Sequence, residues 1–309
     1  MTRLALGFCV TLVVAGTSYG QEAFETFKQL NGSTKMPKLK AFTAPDANAL
    51  APAIQSRNVK LEAKLTNDAD PMHGLSWRVF SPIPGPDGKL PLLASAEGGS
   101  ADFQLAPGDY FVNVSFGRAG ATKKLSIPNQ GNVEDQVMVL DAGGLLLSAI
   151  SGPDTQIPDK DLSFDIYSTE VKADGERGLV LADVKPNTII RLNAGTYHVV
   201  SEYGTINAAV RADIKVEAGK LTEATIQHRA SQIGFKLVSD EGGEAIADTA
   251  WSVLTSGGDV VAESVSAFPL MVLSEGDYTA IARNKDKIYQ QDFKVVAGRN
   301  SDVELQLTK

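Results

Sequence analysis

One cysteine, three histidines and two tryptophans are all that this 309-residue chain holds of those residues. A single cysteine excludes an intrachain disulfide framework and any multi-cysteine zinc or iron–sulfur site. Aromatics are 7% of the chain, which leaves little for a sugar-stacking face once a core is filled. An excess of positive charge is also missing. Lys+Arg number 29 against 37 Asp+Glu, a net of −8, so a dedicated binder of nucleic acid or anionic membrane, which needs a basic face, is disfavoured. What the chain does have is globular composition, with 43% hydrophobic and 21% charged residues. A single core seldom grows past about 250–300 residues, so more than one domain is expected.

The first twenty residues read as a secretory signal peptide (1–20). Arg3 is their one charge, an apolar run follows from Leu4 to Ala15, and Ser18 and Gly20 give a small-x-small exit before Gln21. The run is shorter than the ~20 apolar residues that span a membrane. Cys9 lies inside it, so cleavage leaves a mature chain with no cysteine. No later stretch approaches spanning length, and the expected location is periplasmic or secreted. Residues 21–56 form a leader with little periodicity, broken by Pro37 and Pro45, with room for one short helix around Glu22–Leu30. Four lysines and three acids give it a net of +1, whereas residues 57–309 carry −10.

From residue 57 the chain repeats itself. Leu-x-x-Gly-x-Tyr occurs at Leu105, Gly108 and Tyr110, at Leu192, Gly195 and Tyr197, and at Leu273, Gly276 and Tyr278; the leucines are 87 and 81 residues apart. An aromatic followed two positions on by a β-branched residue precedes each: Trp77 and Val79, Phe164 and Ile166, Trp251 and Val253. After each comes Leu125-Ser126-Ile127, Ile214-Lys215-Val216 or Phe293-Lys294-Val295, then Gly131, Gly219 or Gly298. The leucine closes a strand facing the core, the glycine allows positive φ in a tight turn, and the tyrosine enters the next strand. Its hydroxyl can return to the backbone at the turn, as in the tyrosine corner of sandwich folds. Trp77, Phe164 and Trp251 hold the same repeat position, the signature of a core residue rather than a glycan platform. Period-two alternation recurs, as in Tyr110, Val112 and Val114 or Val303, Leu305 and Leu307. Helical spacing is not sustained.

The expected fold is therefore all-β: three antiparallel sandwiches of about seven strands at 57–142, 143–230 and 231–309, joined by very short linkers into a rod of limited hinge motion. Their charges are −2, −3 and −5.

The corner turn with its preceding Trp-x-Val strand resembles the Ig-like and transthyretin-like modules of bacterial surface and periplasmic proteins, among them carboxypeptidase-regulatory-like and collagen-adhesin B-type repeats. The third copy is most similar, from Asp240-Glu241-Gly242-Gly243 to Trp251. The collagen-adhesin resemblance implies an intramolecular lysine–asparagine isopeptide bond from a buried first-strand lysine. Ile233, Phe235 and Leu237 take the inward positions here, as do Val59, Leu61, Ala63 and Leu65. Lys236, Lys60 and Lys64 then point outward, and no such bond is expected.

Sites are sparse. His73 falls in a polar loop, His198 adjoins Tyr197, and His228 ends a strand; none has metal-ligand spacing, and solvated or locally bonded roles are expected. Asn67-Asp68-Ala69-Asp70 and the stretch from Asp154 through Asp159 to Asp161 cluster oxygens that calcium could use, but neither follows the EF-hand order. No Gly-x-Ser-x-Gly elbow is present. No catalytic residue, cofactor or metal is assigned. The expected function is a non-catalytic exported scaffold of the bacterial cell envelope with a protein partner. A carbohydrate or envelope-polymer binding module is the alternative, and an enzyme with loop-borne residues is the remote one.

Overall fold

A computed structural model of the protein describes residues 56–307. The signal peptide, the leader and its Glu22–Leu30 helix lie outside the described residues. Seven strands come first: β1 (Arg57–Lys64), β2 (Leu75–Phe80), β3 (Leu92–Gly98), β4 (Ala101–Leu105), β5 (Gly108–Phe116), β6 (Ala119–Ile127) and β7 (Gln136–Val139). Then follow β8 (Ala142–Ser151), a two-residue β9 (Thr155–Gln156), β10 (Leu162–Val171), β11 (Arg177–Val184), β12 (Ile189–Asn193), β13 (Gly195–Tyr203), β14 (Ala209–Val216) and β15 (Leu221–His228). The last group is β16 (Ala230–Val238), β17 (Ala250–Thr255), β18 (Val260–Val265), β19 (Leu270–Ser274), β20 (Gly276–Asn284), β21 (Lys287–Val295) and β22 (Ser301–Gln306). One turn of 3-10 helix, Asp159–Asp161, is the only helical element among the described residues.

Six sheets fall into three pairs along the sequence. A sheet with a three-strand path faces a four-stranded one each time: β4-β1-β7 with β3-β2-β5-β6, β12-β8-β15 (where the short β9 also pairs β8) with β11-β10-β13-β14, and β19-β16-β22 with β18-β17-β20-β21. Strand alternation puts the apolar residues between them. Val59, Leu61 and Ala63 of β1 meet Trp77 and Val79 of β2 and Val112 and Val114 of β5 in one buried cluster. Leu145 and Leu147 meet Phe164, Ile166 and Val199 in the second, and Ile233, Phe235 and Leu237 meet Trp251, Val253 and Ala280 in the third. Each of these large side chains contributes about 1.5–3 kcal/mol by leaving water.

The expectation of purely antiparallel sandwiches needs one correction. The first strand of each pair runs antiparallel to the fourth main strand but parallel to the last: Ala63 opposes Met138, Ala149 opposes Ile226 and Leu237 opposes Leu305 in parallel ladders. Period-two alternation is the same in both directions, so the sequence could not distinguish them. The parallel pairing has a structural consequence. A chain that starts and finishes in parallel strands enters one end of the pair and leaves by the other. The next copy can then begin at once: His228 ends β15 and Ala230 begins β16.

Candidate functional site

The repeat markers build three equivalent corners. Leu105, Leu192 and Leu273 are buried at the ends of β4, β12 and β19. In each copy the tyrosine hydroxyl donates back to the carbonyl four residues earlier: Tyr110 to Ala106 O at 2.8 Å, Tyr197 to Asn193 O at 2.9 Å and Tyr278 to Ser274 O at 3.0 Å. Burial raises the Tyr197 pKa above the ordinary phenol value. The glycines differ from the expected tight-turn role, since each is the first residue of its strand. Gly108 and Gly195 have φ of +149° and +157°, while Gly276 does not have positive φ. An added Cβ at Gly276 would lie 3.4 Å from the Tyr278 ring, an ordinary van der Waals contact, so neither φ nor space requires glycine there.

Trp77, Phe164 and Trp251 are fully buried. The indole N–H groups are satisfied inside the core, Trp77 donating to Gly99 O at 2.8 Å and Trp251 to Ser266 O at 3.0 Å. Phe164 has nothing to satisfy and serves the same packing role without a partner.

In the second and third copies the residue after the marker leucine does more than hold the corner. At Asn193 the side chain crosses to the first sheet pair. Its Nδ2 donates to Leu140 O at 2.7 Å and Gly120 O at 3.0 Å, and its Oδ1 accepts from Gly120 N at 3.1 Å. Around it the Arg118 N–H donates to Arg191 O at 3.1 Å, and the Arg118 guanidinium bonds Val180 O. The Arg191 guanidinium lies 4.3 Å from the centre of the Phe116 ring, a cation–π distance. Gly117, with φ of +66°, fits beneath Arg191, where a Cβ would sit 3.1 Å from the Arg191 Cβ.

At the second junction the direction reverses. Asn207, in the β13–β14 turn, reaches forward into the third pair. Its Oδ1 accepts from Ser274 N at 2.9 Å and its Nδ2 donates to the Tyr278 hydroxyl at 3.0 Å, while Ser274 Oγ donates to Asn207 O at 2.7 Å. The corner tyrosine thus becomes part of the junction. Arg229 and Glu275 add an ion pair, with Arg229 Nε 2.7 Å from Glu275 Oε2, and Thr155 Oγ1 donates to Gly298 O at 2.9 Å. Val272 of β19 packs into the second core, and a Cβ on Gly204 would lie 2.7 Å from the Val272 Cβ. Asn193, Asn207, Ser274 and Arg118 escaped the sequence reading. Local sequence carried no signal for them: both positions between the marker leucine and glycine vary, as Ala106-Pro107, Asn193-Ala194 and Ser274-Glu275.

A cleft of about 750 Å³ lies beside this second junction, lined by Ala208, His228, Arg229, Glu275, Asp277 and Lys294 among others. His228 is buried on its wall. Its Nε2 lies 2.7 Å from Ser201 Oγ, and the Tyr203 ring meets it edge-on at 5.9 Å. Burial pushes its pKa down to about 4, against a weaker opposing effect from a hydrogen bond with the Ala208 backbone, so it is neutral at pH 7. The Ser201–His228 contact has the length of a nucleophile–base pair, but Ser201 Oγ is enclosed and a substrate carbonyl has no approach to it. His198 is a local partner too, its Nδ1 2.7 Å from Asp213 Oδ1. His73 lies against Gly99, where a Cβ would meet its Nδ1 at 2.8 Å.

Among the described residues, the two acidic loops included, no group of three or more His, Cys, Asp or Glu side chains is placed to hold a metal ion. The first-strand lysines are on outward positions. Lys236 pairs with Glu304 at 2.7 Å, which also accepts from Gly242 N, and Lys60 pairs with Glu62 at 2.7 Å. Among the described residues no helix is long and apolar enough to cross a membrane.

Comparison with solved structures returns bacterial proteins, pilins among them, at low identity. The minor pilin GBS52 of Streptococcus agalactiae is 15% identical, with 56% of this chain and 95% of that one covered and a TM-score of 0.30. For the major pilin subunit BcpA of Bacillus cereus the values are 10%, 81%, 99% and 0.22. The Bacillus anthracis TIE protein is 14% identical over 82% of this chain with a TM-score of 0.23, and the chain spans about half, 51%, of its length. No curated protein matches. By sequence, residues 232–307, which run from β16 to just beyond β22, match the Rhizobiales growth-associated tandem repeat domain.

Proposed function

We propose that this chain is a non-catalytic, exported scaffold of the cell envelope. In this reading three sandwich modules, 57–142, 143–230 and 231–309, follow a signal peptide (1–20) and a leader (21–56). The observation that carries it is the pair of polar junctions. Asn193 makes three hydrogen bonds into the sheet pair before its own, and Asn207 makes two into the pair after it. Directional hydrogen bonds at fixed positions hold neighbours in one register, where an apolar contact alone would let them slide. Fixed spacing between modules is what a scaffold needs and what an independent set of binding domains does not. The tandem-repeat match in the third copy agrees with this reading.

The protein partner is expected to engage the leader, whose net charge of +1 contrasts with the acidic remainder. Fractionation of cells producing the tagged protein should place it outside the cytoplasm with Gln21 as its first residue. Cross-linking should then capture one stoichiometric envelope protein that is lost when residues 21–56 are deleted. Retention in the cytoplasm, or capture unchanged by the deletion, would overturn the reading.

A further inference from the structure

His228 sits where the second and third copies meet. It ends β15, and β16 begins two residues on at Ala230. Backbone bonds of the junction follow it closely: Glu275 N donates to Arg229 O at 2.8 Å and Gly298 N to Ala230 O at 3.0 Å. The ring itself is buried with Ser201 and Tyr203 of β13 and bonds the Ala208 backbone. Ala208 directly follows Asn207, whose side chain and carbonyl tie Ser274 and Tyr278 of the third copy. One ring thus supports the turn on which the junction hangs.

That seat suits only the neutral ring. A neutral imidazole donates at one nitrogen and accepts at the other. Donation to the Ala208 backbone leaves Nε2 to accept from Ser201 Oγ, 2.7 Å away. An imidazolium donates at both nitrogens, so the Ser201 hydroxyl hydrogen must turn elsewhere. Ser201 is fully enclosed, and a buried charge or an unpaired hydroxyl there is costly.

No charge at the seat offsets that cost. β13 presents the Tyr203 phenol, with Asp161 near it, and the Ala208–Val210 stretch carries no charge. The turn after β8 brings Gly152 N and Ser151 Oγ, which bond the His228 carbonyl rather than the ring. Carboxylates stand instead around the cleft of about 750 Å³ that His228 lines: Glu275, paired with Arg229, and Asp277, whose neighbour across the strands is Lys294.

We propose that the second junction is an acid-released hinge. Proton uptake drives the His228 ring from its seat into the adjoining cleft, towards Asp277 and Glu275. The Asn207–Ala208 turn then loses its support, and the third sheet pair comes free of the second. Asparagine, arginine and backbone groups tie the first junction, with no histidine among them, and it stays closed. The hinge does not depend on export or on an envelope partner, and its failure leaves the scaffold reading untouched.

The sign follows from the two environments of the ring. Burial lowers its pKa to about 4 in the closed junction, and release restores the ordinary value near 6.5. The released form therefore binds the proton first. The junction is closed above about pH 6.5 and opens as the pH falls towards 4.

Residue-resolved amide exchange, corrected for intrinsic rates, is the test. The Ser274 and Glu275 amides bond across the second junction, to Asn207 Oδ1 and Arg229 O. The Gly120 and Ala194 amides bond across the first, to Asn193 Oδ1 and Asp141 O. Between pH 7.5 and 4.5, protection at Ser274 and Glu275 should fall on the order of 50-fold or more. Gly120, Ala194 and the β17–β20 ladder should keep theirs. His228→Gln cannot take up the proton and should abolish the fall. The wild-type ring, followed by its nitrogen shifts, should titrate in step with the amides, a readout that needs no variant. Equal losses at both junctions overturn the proposal, as does a ring that titrates while Ser274 and Glu275 stay protected. A fall that persists in the Gln variant also overturns it and assigns the effect to the carboxylates. Loss of the β17–β20 ladder overturns it too, because that is unfolding rather than hinge motion.

Discussion

The two junctions solve one problem with opposite chemistry. Between the first and second sheet pairs the later copy supplies the side chain: Asn193 reaches back to the backbone of Gly120 and Leu140. Between the second and third the earlier copy supplies it: Asn207 reaches forward to Ser274 and Tyr278. Both centre on the position after the marker leucine, whose carbonyl receives the corner tyrosine. The first copy has Ala106 there, with the carbonyl and no reaching side chain. The corner belongs to the copy's own fold and is kept in all three. The side chain beside it belongs to the neighbour and varies.

The second junction alone has a buried histidine at its edge, and acid should separate the two most. With its folded pKa near 4 and an ordinary unfolded value near 6.5, the unfolded chain binds the proton first. Stability from His228 is therefore full above about pH 6.5 and lost as the pH falls towards 4. The loss approaches about 3 kcal/mol for a shift of this size. Hydrogen exchange at pH 7 and pH 4.5 should show loosening in β13 and β15 greater than in β4 and β5. Replacing His228 with Gln should flatten that difference.

Asn193→Ala leaves one N–H and two carbonyls of the first junction without their partner, at about 2–3 kcal/mol. Asn207→Ala should cost less, about 1–2 kcal/mol, because the Ser274 Oγ bond goes to its backbone carbonyl and survives the change. Urea unfolding of the two variants, with exchange to locate the effect, gives the ranking; an equal or reversed order would mean that the two sides of the comparison are not carried by these bonds. The smallest effect separates corner from junction. Tyr197→Phe removes one hydrogen bond and should cost about 1 kcal/mol. Tyr278→Phe removes the corner bond and also the acceptor for Asn207, so its midpoint should fall further than that of the Tyr197 variant.

Much of the strand content was legible because alternation is a local property. Val59, Leu61 and Ala63, or Ile233, Phe235 and Leu237, announce a buried face within a few residues. The recurring aromatic at Trp77, Phe164 and Trp251 is fixed by the core volume that each sheet pair must fill. Strand direction was not legible. Val303 and Leu305 alternate in the same way whether β22 lies parallel or antiparallel to β16, and the partner that settles it is more than sixty residues away. The glycine role was read from the commonest reason for a glycine, positive φ. Gly276 does not have positive φ, and a Cβ there would make only an ordinary contact with the Tyr278 ring. Outer-face neighbours were also hidden, since Phe80 meets Phe111 and Phe111 meets Lys124 only through strand pairing.

The sequence by itself determined the all-β class, the threefold repeat of the corner and the inward set of apolar residues, because each follows from spacing within a strand or a turn. The tertiary structure decided which strands pair in parallel and that Asn193 and Asn207 are ties between neighbours rather than turn residues. It also decided that Val272 of the third copy packs into the second core. Those outcomes rest on contacts across sheets and between copies, where the energy depends on residues that no local pattern links.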